Sequence, residues 1–347
     1  MTDTPALNHA DRIIGEVLPS GYAVRAPRLV GDDGGPDVDA AYAVVSASET
    51  RVSGSNDQSR GEILGGLTGH ESDLDGSRIV FDRDARPIGY LCITVDWESH
   101  LVLVDAYAAD VCGSGSTPAG LLEAFLRAGI ARAGEITRTR RAEFAHTGDQ
   151  PWRVAVGALE NDSEYRDVIV SVGLEPVRVF YRMRIGFGVP AAPPVIPSDV
   201  TISVATSEED RRLIHDVHER SFADHWDYTP HSLDSFIDYA TSAFGYDPSR
   251  WWLLRVDGAL AGLCIGTDES KEFGDGYIKW LGILREFRGR GLAKLLLHNA
   301  FYDYSSHGYV GVRLGVDAAN PTGATHLYES MGMAPIEAIH VYSRDLS

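Results

Sequence analysis

The fold is decided by the stretch Leu281-Gly282-Ile283-Leu284-Arg285-Glu286-Phe287-Arg288-Gly289-Arg290-Gly291-Leu292-Ala293-Lys294-Leu295-Leu296. A hydrophobic strand leads into a turn rich in glycine and arginine, and the turn opens an apolar helix. The first amides of a helix have no partner within it and lie at the positive end of its dipole. Glycine lets such a backbone approach a ligand closely. The stretch therefore predicts a diphosphate site, to which Arg288 and Arg290 add charge.

This turn differs from two other phosphate-binding motifs. It is not a P-loop, which needs GxxxxGK followed by Ser or Thr, and it is not the GxGxxG of dinucleotide-binding folds. An isolated Arg-Gly-x-Gly run also occurs in nucleic-acid-binding segments. The strand before the turn and the formal net charge of −19 disfavour that interpretation, because an acidic chain repels phosphate backbones.

A second motif follows: Gly315-Val316-Asp317-Ala318-Ala319-Asn320-Pro321, then Ala324, Leu327-Tyr328-Glu329 and Gly332-Met333. Together the two motifs resemble the GNAT family of acetyltransferases. Arg288, Gly291 and Ala293 fill the family's phosphate-loop pattern Gln/Arg-x-x-Gly-x-Gly/Ala. The family's Asn-x-x-Ala-x-x-Leu-Tyr-Glu-x-x-Gly-Phe pattern is met with one extra residue before Ala324 and with Met333 in place of Phe.

The resemblance implies acetyl-CoA as the cofactor and a set of residues that hold it. In the family, the strand that corresponds to Leu281–Ile283 hydrogen-bonds the pantetheine arm, and a backbone amide near Ile283 is the expected oxyanion donor. The expected cofactor-binding residues are Leu281, Gly282, Ile283, Arg288, Gly289, Arg290, Gly291, Leu292, Ala293 and Asn320. Asn320 has the alternative role of capping the next helix.

Tyr328 is the expected catalytic residue. A phenol can protonate the leaving thiolate if local fields assist the transfer. The alternative is an aromatic side chain on a helix face that packs on the core.

The general base is not evident in the sequence. Many relatives use a glutamate on the strand before the phosphate loop, but Lys279 stands on that strand here, and lysine is the wrong group unless it is strongly desolvated. Asp268, Glu269 and His225 remain candidates, and a water relay is equally compatible. His215 and His218 lie one turn apart on a predicted helix, but no third ligand accompanies them, so no metal is expected.

A proline-rich segment divides the chain. Residues 186–197 hold four prolines and two glycines, which interrupt helices and central strands. We predict an N-terminal domain over 1–187, a linker over 188–198 and a catalytic C-terminal domain over 199–347. A chain of 347 residues suits two such domains.

The two halves resemble copies of one plan. Ile88–Cys92 matches Ala261–Ile265, and Asn161 and Asn320 each precede a helix that closes at a glycine, Gly173 or Gly332. The extra residues of the first copy are expected within 134–151, with 138–141 as a solvated excursion. The order of predicted elements implies an α/β fold in which each copy has a central mixed sheet flanked by helices.

The first copy is predicted to have lost transfer chemistry. Its counterpart of the phosphate loop, Cys112–Gly120, has no arginine, and Thr117 or Pro118 stands in place of Gly291. Ile169 stands in place of Tyr328. The run 113–115 keeps phosphate binding open as an alternative.

Such a tandem architecture is similar to that of the mycothiol synthase family. Residues 266–270 do not match the aromatic and basic pattern of its members, so the resemblance assigns no substrate.

In the second half, periodicity predicts helices over 208–221, 232–243, 291–306 and 324–331. Strands are predicted over 200–205, 251–256, 260–267, 277–284, 310–316 and 336–342, with a hairpin turn at Asp257-Gly258. In the first half, strands are predicted over 22–28, in 77–107 and over 177–184, and helices over 37–48, 59–67 and 118–133.

The composition disfavours an exported, disulfide-bonded or zinc-binding protein. The beginning of the chain has no apolar signal core, and the three cysteines Cys92, Cys112 and Cys264 lack the spacing of a disulfide framework or a zinc site. A soluble cytoplasmic protein, monomer or homodimer, with no membrane or nucleic-acid partner is expected. The acidic charge favours a cationic substrate, although solubility or a salt-adapted host explains it equally well.

The predicted function is an acetyl-CoA-dependent N-acetyltransferase. It would act on the primary amine of a small, cationic metabolite by direct attack in a ternary complex. A non-catalytic acyl-CoA-binding regulatory module, acetylation of an aminothiol conjugate as in mycothiol synthase, and a protein lysine as acceptor remain alternatives.

Overall fold

A computed structural model describes residues 9–109, 120–140, 151–226, 228–242, 244–320 and 322–346. It has the expected mixed α/β architecture. In chain order, the helices and strands are α1 His9–Gly15, β1 Ala23–Arg25, α2 Pro36–Ser53, α3 Arg60–Thr68, β2 Arg78–Phe81, β3 Pro87–Asp96, β4 Leu101–Ala108, α4 Leu121–Arg140, β5 Arg153–Leu159, α5 Ser163–Ser171, β6 Glu175–Gly186, β7 Val200–Val204, α6 Glu208–Phe222, α7 Leu233–Ser242, β8 Trp251–Val256, β9 Ala259–Thr267, β10 Asp275–Ile283, α8 Leu292–Ser306, β11 Gly311–Asp317, α9 Ala324–Ser330 and β12 Ala334–Asp345.

The chain forms two compact units. One comprises Met1–Val177 with His340–Ser347, and the other comprises Arg178–Ile339. The cut falls inside β6 because Phe180–Gly186 pair with β11 in the second unit. Strand pairing thus assigns most of β6 to the second unit. The domain boundaries at 187 and 199 remain a prediction.

In the second unit, the sheet order is β6-β11-β10-β9-β8-β7. Only β10 and β11 pair in parallel among its described strands, and the others are antiparallel. The predicted hairpin joins β8 to β9, and Asp257 and Gly258 have φ angles of 49° and 80°.

Helices cover both faces of this sheet. Trp252 and Leu254 pack in the same cluster as α8, whereas the alternate residues Trp251 and Leu253 pack with α6 and α7. This alternation follows from the period of a strand, whose successive side chains point to opposite faces. A sheet covered on both faces is consistent with the nearly continuous apolar runs of β8 and β9.

The parallel pair β10–β11 diverges along its length. The two strands pair only over Asp275–Ile278 and Gly311–Leu314, and the register of β10 against β9 shifts at Lys279. Beyond this shift β10 stays paired with β9 as far as Ile283. A gap therefore opens between the carboxyl ends of β10 and β11.

The closed end of the same pair is held by a buried carboxylate. Asp275 is fully buried and accepts hydrogen bonds from Arg184 on β6 and Arg313 on β11, at 2.7 Å each. Three adjacent strands are thus tied at one end, which fixes the point from which the gap widens.

The first unit repeats this plan, as predicted for a duplicated fold. Its sheet order is β1-β2-β3-β4-β5-β12, and β4 pairs in parallel with β5 only over Leu101–Leu103 and Arg153–Ala155. The equivalent glycines also have equivalent constraints. A Cβ on Gly89 would lie 2.8 Å from Phe125 of α4, and one on Gly262 would lie 2.5 Å from Ile283.

One expectation for the first unit is wrong in part. Residues 138–140 do not form a solvated excursion but continue α4, because Ala133, Ile136 and Thr137 keep its apolar face buried. The rest of the expected excursion, 141–150, lies outside the described residues. No helix in the described ranges is long and apolar enough to cross a membrane.

Candidate active site

A cavity of about 550 Å³ lies in the second unit, where the gap between β10 and β11 meets the N-terminus of α8. It is lined by the end of β10, the glycine-rich loop, the first turn of α8, the segment around α9 and the end of α6. The lining residues are Ser221, His225, Leu281, Gly282, Ile283, Phe287, Arg288, Gly289, Gly291, Leu292, Ala293, Lys294, Thr322, Ala324, Leu327 and Tyr328.

The glycine-rich loop presents a run of unpaired amides. Gly289 and Gly291 have φ angles of 77° and 76°, in the left-handed region that favours glycine. A Cβ at either position would meet no atom within 4 Å, so the backbone angle rather than crowding requires glycine. None of the described residues accepts a hydrogen bond from the amides of 289–294, whereas the Arg288 amide donates to Arg285.

Arg288 braces the loop rather than supplying free charge. Its Nε donates to the carbonyl oxygen of Ile283 and its Nη2 to that of Ser221, both at 3.1 Å. The side chain therefore joins the end of β10, the loop and the end of α6. Arg290 is exposed, forms an ion pair with Asp199 at 3.3 Å and does not line the cavity.

Lys294 is a cation that the sequence argument missed. It lines the cavity from the first turn of α8 and is exposed. It has neither an ion pair nor a hydrogen bond with any described side chain or carbonyl. The sequence could have indicated Lys294, because it stands three residues after Gly291, and a side chain at that position lies beside the first free amides of the helix.

The end of β10 offers backbone groups to the gap. The amide of Leu284 donates to Ala261 on β9 at 2.9 Å. Because paired residues alternate along an antiparallel ladder, the backbone groups of Leu281 and Ile283 lie on the edge away from β9. The carbonyl of Ile283 on this edge accepts from Arg288, as described above, and its amide remains available.

Gly282 permits a close approach between β10 and α6. A Cβ at this position would lie 2.2 Å from Ser221 Oγ and 3.0 Å from Ser221 Cβ. Only glycine fits there with Ser221 in place. The sequence argument assigned Gly282 to the cofactor, and this packing role is additional.

Tyr328 lines the cavity from α9 and is 8% exposed. Its ring packs in the apolar cluster with Leu296 and Cys264, and its hydroxyl has no hydrogen-bond partner in the described part of the chain. Burial raises the pKa of the Tyr328 phenol well above its usual range, so the group is protonated at neutral pH. Packing on the core thus keeps the phenol protonated, but the same burial makes it a weaker acid.

Two of the three candidate bases are occupied elsewhere. Asp268 accepts from Arg250 at 2.7 Å and from Tyr309 at 2.6 Å. Glu269 forms an ion pair with Lys279 at 3.0 Å. Neither carboxylate lines the cavity, whereas the third candidate, His225, does.

Lys279 is itself unsuited to act as a base. Burial alone lowers its pKa, but the rings and carboxylate around it, Tyr239 and Glu269 above all, raise the pKa of Lys279 overall. Its ammonium lies 4.7 Å from the centre of the Tyr239 ring, a cation–π contact that favours the charged form.

Asn320 orders the turn before α9. Its Oδ1 accepts from the amide of Thr322 at 2.8 Å and from its hydroxyl at 2.5 Å. Asn320 does not line the cavity, and Thr322 does. Asn320 therefore orders the turn but does not cap α9, whose N-cap is Gly323.

The histidines of α6 lie in an aromatic cluster and are not among the residues that line the cavity. His215 Nε2 is 2.8 Å from the carbonyl of His231, and His218 stacks on Phe222 with ring centres 4.6 Å apart. Trp280 contacts His218 edge-on at 4.9 Å. Over the described ranges, no group of three or more His, Cys, Asp or Glu residues is arranged to hold a metal.

The corresponding region of the first unit is only partly described. The loop counterpart, including Cys112, Thr117 and Pro118, lies outside the described residues, as does the run 113–115. Ile169, in place of Tyr328, is fully buried on α5. Cys92 and Cys264 are buried free thiols.

Residues 212–333 match the acetyltransferase (GNAT) family. A search of curated protein sequences found no match.

Solved structures are similar to the chain over most of its length. A GCN5-related N-acetyltransferase from Sphaerobacter thermophilus is 23% identical, with a TM-score of 0.74 over 95% of this chain and 97% of that one. A tandem GNAT protein from the clavulanic acid biosynthesis pathway is 14% identical, with a TM-score of 0.67 over 94% and 99%. A glucosamine N-acetyltransferase region of a fungal multi-domain β-N-acetylglucosaminidase is 13% identical, with a TM-score of 0.61 over 94% and 38%.

At these identities the solved structures establish the fold, and the family match covers the part of the chain that holds the cavity. The chain thus has the fold of the tandem GNAT proteins, and its residues 212–333 match the acetyltransferase (GNAT) family.

Proposed function

We propose that the second unit is an acetyl-CoA-dependent N-acetyltransferase that acts on the primary amine of a small, cationic metabolite by direct attack in a ternary complex. The observation that carries the proposal is the run of unpaired amides over 289–294 at the mouth of the gap beside β10. Amides at the start of a helix bind a diphosphate, and a strand with a free edge binds an extended arm.

The residues of the cavity fit coenzyme A. The amides of 289–294 would hold its diphosphate. Lys294 would add positive charge there, because Arg288 and Arg290 are engaged in contacts with the protein itself. The backbone groups of Leu281–Ile283 on the edge away from β9, apart from the Ile283 carbonyl bonded to Arg288, would face the pantetheine arm. Acetyl-CoA supplies the activated acetyl thioester to this site.

Ile283 and Tyr328, which both line the cavity, would supply the catalytic groups. The amide of Ile283 would donate to the carbonyl oxygen as negative charge develops there, which is the most effective place for a fixed donor. Tyr328 would donate its proton to the leaving sulfur. Burial keeps the phenol protonated before the reaction, and negative charge that develops on a sulfur next to the hydroxyl would favour the transfer.

A cationic amine is favoured as the acceptor. The formal net charge of −19 attracts cations to the protein and raises their rate of encounter. One similar structure is named for the acetylation of glucosamine, which is an amine of this kind. The proposal includes a cytoplasmic location, where acetyl-CoA and small metabolites are available together.

The test is thiol release from acetyl-CoA in the presence of a panel of amines, with products identified by mass spectrometry. The panel would include polyamines, amino sugars, an aminothiol conjugate and a lysine-containing peptide. Release with a small cationic amine and a mass gain of one acetyl group would support the proposal. Tight acetyl-CoA binding without release by any amine would point instead to a non-catalytic acyl-CoA-binding module.

A further inference from the structure

One side chain in the cavity has no role in the mechanism above. His225 follows α6 and lines the same cavity as Ile283 and Tyr328. It is partly buried, and its ring packs on Phe222 with centres 4.5 Å apart. Neither ring nitrogen has a hydrogen-bond partner in the part of the chain that the structure describes. The imidazole is thus held in place while its nitrogens remain free for a ligand.

Charged groups surround this imidazole from several elements. Burial is the largest effect and lowers the pKa of His225 below its ordinary value of 6.5. Arg288 of the loop and His218 of α6 act in the same direction, whereas Asp317 at the end of β11 and the exposed Asp224 raise it. The net effect is a neutral imidazole at pH 7, which is the form that accepts a proton.

Asp317 is rigidly held near the imidazole. Its carboxylate accepts hydrogen bonds from two nitrogens of Arg178, Nη2 at 2.8 Å and Nε at 3.0 Å from each oxygen, and one from the amide of Ala319 at 2.9 Å. A fixed negative charge in this position stabilises the imidazolium that forms when His225 takes a proton. Asp317 is therefore a positioning and electrostatic residue rather than a reacting group.

We propose that His225 is the general base of the acetyl transfer, an inference that rests on the proposed function of the same cavity. His225 takes a proton from the amine nitrogen as that nitrogen bonds to the acetyl carbon. The carbon–sulfur bond breaks, and the sulfur receives the proton of Tyr328. The imidazolium then returns its proton through solvent to the tyrosinate, so the net products are the acetamide and the free thiol.

The competing bases do not satisfy these conditions. Asp268 and Glu269 form ion pairs outside the cavity, and Lys279 remains charged. Among the candidates that the sequence left open, His225 alone lines the cavity with unbonded ring nitrogens.

The experiment compares His225→Gln with His298→Gln, a control at an exposed position of α8 outside the cavity. Acetyl-CoA affinity and kcat/KM between pH 5 and 9 would be measured for both variants and the wild type. A general base contributes about 10²-fold or more. His225→Gln is expected to lower kcat/KM at pH 7.5 about 10²-fold and to keep the affinity for acetyl-CoA within about twofold.

The dependence of kcat/KM on pH distinguishes a catalytic role of His225 from a purely structural one. In the wild type and in His298→Gln, kcat/KM should fall as the pH drops through the lowered pKa of His225, because protonation removes the base. This acidic limb should be absent from His225→Gln. Unchanged turnover and an unchanged limb in His225→Gln would overturn the inference while leaving the proposed function intact. If the wild type binds acetyl-CoA but acetylates no amine, the proposed function fails and the inference fails with it.

A second variant tests the inference without altering His225. Asp317→Asn removes a charge that raises the pKa of His225, so the acidic limb should move to lower pH. An unmoved limb, with acetyl-CoA still bound, would contradict the assignment.

Discussion

At the scale of single residues, the cavity depends on which side chains are bound to the protein and which are free. Arg288 and Arg290 are the charged residues of the phosphate-loop motif, yet one is bonded to carbonyls and the other to Asp199. Lys294 and Tyr328 line the cavity without partners among the described residues. The loop thus offers backbone amides to a ligand, whereas its arginines hold the loop against the rest of the protein.

Tyr328→Phe is predicted to lower kcat about 10²-fold, because the change removes the proton donor and keeps the buried ring. Acetyl-CoA affinity should stay within about twofold. Turnover and calorimetric binding of the same preparation check both points. Wild-type kcat in the variant would leave Tyr328 with a packing role only.

Lys294→Ala is predicted to weaken acetyl-CoA binding roughly three- to tenfold, since one partly screened contact between an ammonium and a phosphate is lost. Lys271→Ala is the matched control, because Lys271 is 67% exposed and forms its ion pair with Asp268 outside the cavity. The difference between the variants should shrink at high salt. Equal affinities in the two variants at low salt would exclude Lys294 from the binding site.

The residues of this site differ in how far the sequence could predict them. The sequence could predict the loop glycines and Tyr328 because each belongs to a motif whose spacing is visible in the sequence. The bracing role of Arg288 depends on Ser221, which belongs to α6 and is distant in sequence. Which of Asp268, Glu269 and His225 remains free depends on Arg250 and Lys279, and such pairings arise only from the folded arrangement.

At the scale of elements, the junction of β10 with α6 and α8 forms the site. Periodicity and the Asp257-Gly258 turn predicted β8, β9 and α8 to within a residue or two. The divergence of β10 from β11 was not predicted from spacing, because it results from a register shift at Lys279 and from the anchoring of Asp275. Both depend on partners from other strands.

Gly282→Ala is predicted to destabilise the protein by about 1–3 kcal/mol, because the new methyl group would overlap Ser221 Oγ. Ser221→Ala removes that oxygen, so the double variant should recover part of the loss, with a coupling of about 0.5–3 kcal/mol. The coupling is obtained from the free energies of unfolding in denaturant of the wild type, the two single variants and the double variant. Strictly additive effects would contradict the contact.

At the scale of the whole molecule, the sequence could predict the duplication, but it could not predict which unit each strand belongs to. Short matches such as Ile88–Cys92 with Ala261–Ile265 indicated two copies, and both units have a parallel pair that diverges. The proline-rich segment suggested a boundary near 188, but β6 precedes that segment and pairs with β11 in the second unit. Strand pairing across many residues leaves no local signal in a single sequence.

A fragment that begins at residue 199 is predicted to unfold at a lower temperature than one that begins at 178, both ending at residue 347. The shorter fragment lacks the β6 residues that pair with β11, and it leaves Asp275 without Arg184. Asp275 keeps Arg313 in the shorter fragment, but loss of one of its two cationic partners leaves this buried charge less well compensated. Circular dichroism melts check this, and identical melting temperatures would instead favour the boundary at 188–198.

The most direct test of the account is calorimetric titration of the wild-type chain with acetyl-CoA and with acetyl-pantetheine, which lacks the diphosphate and the phosphoadenosine attached to it. If the amides of 289–294 hold the diphosphate, acetyl-CoA should bind at one site per chain and at least about 10²-fold more tightly than acetyl-pantetheine. Equal affinities for the two compounds, or no binding of acetyl-CoA, would contradict the account.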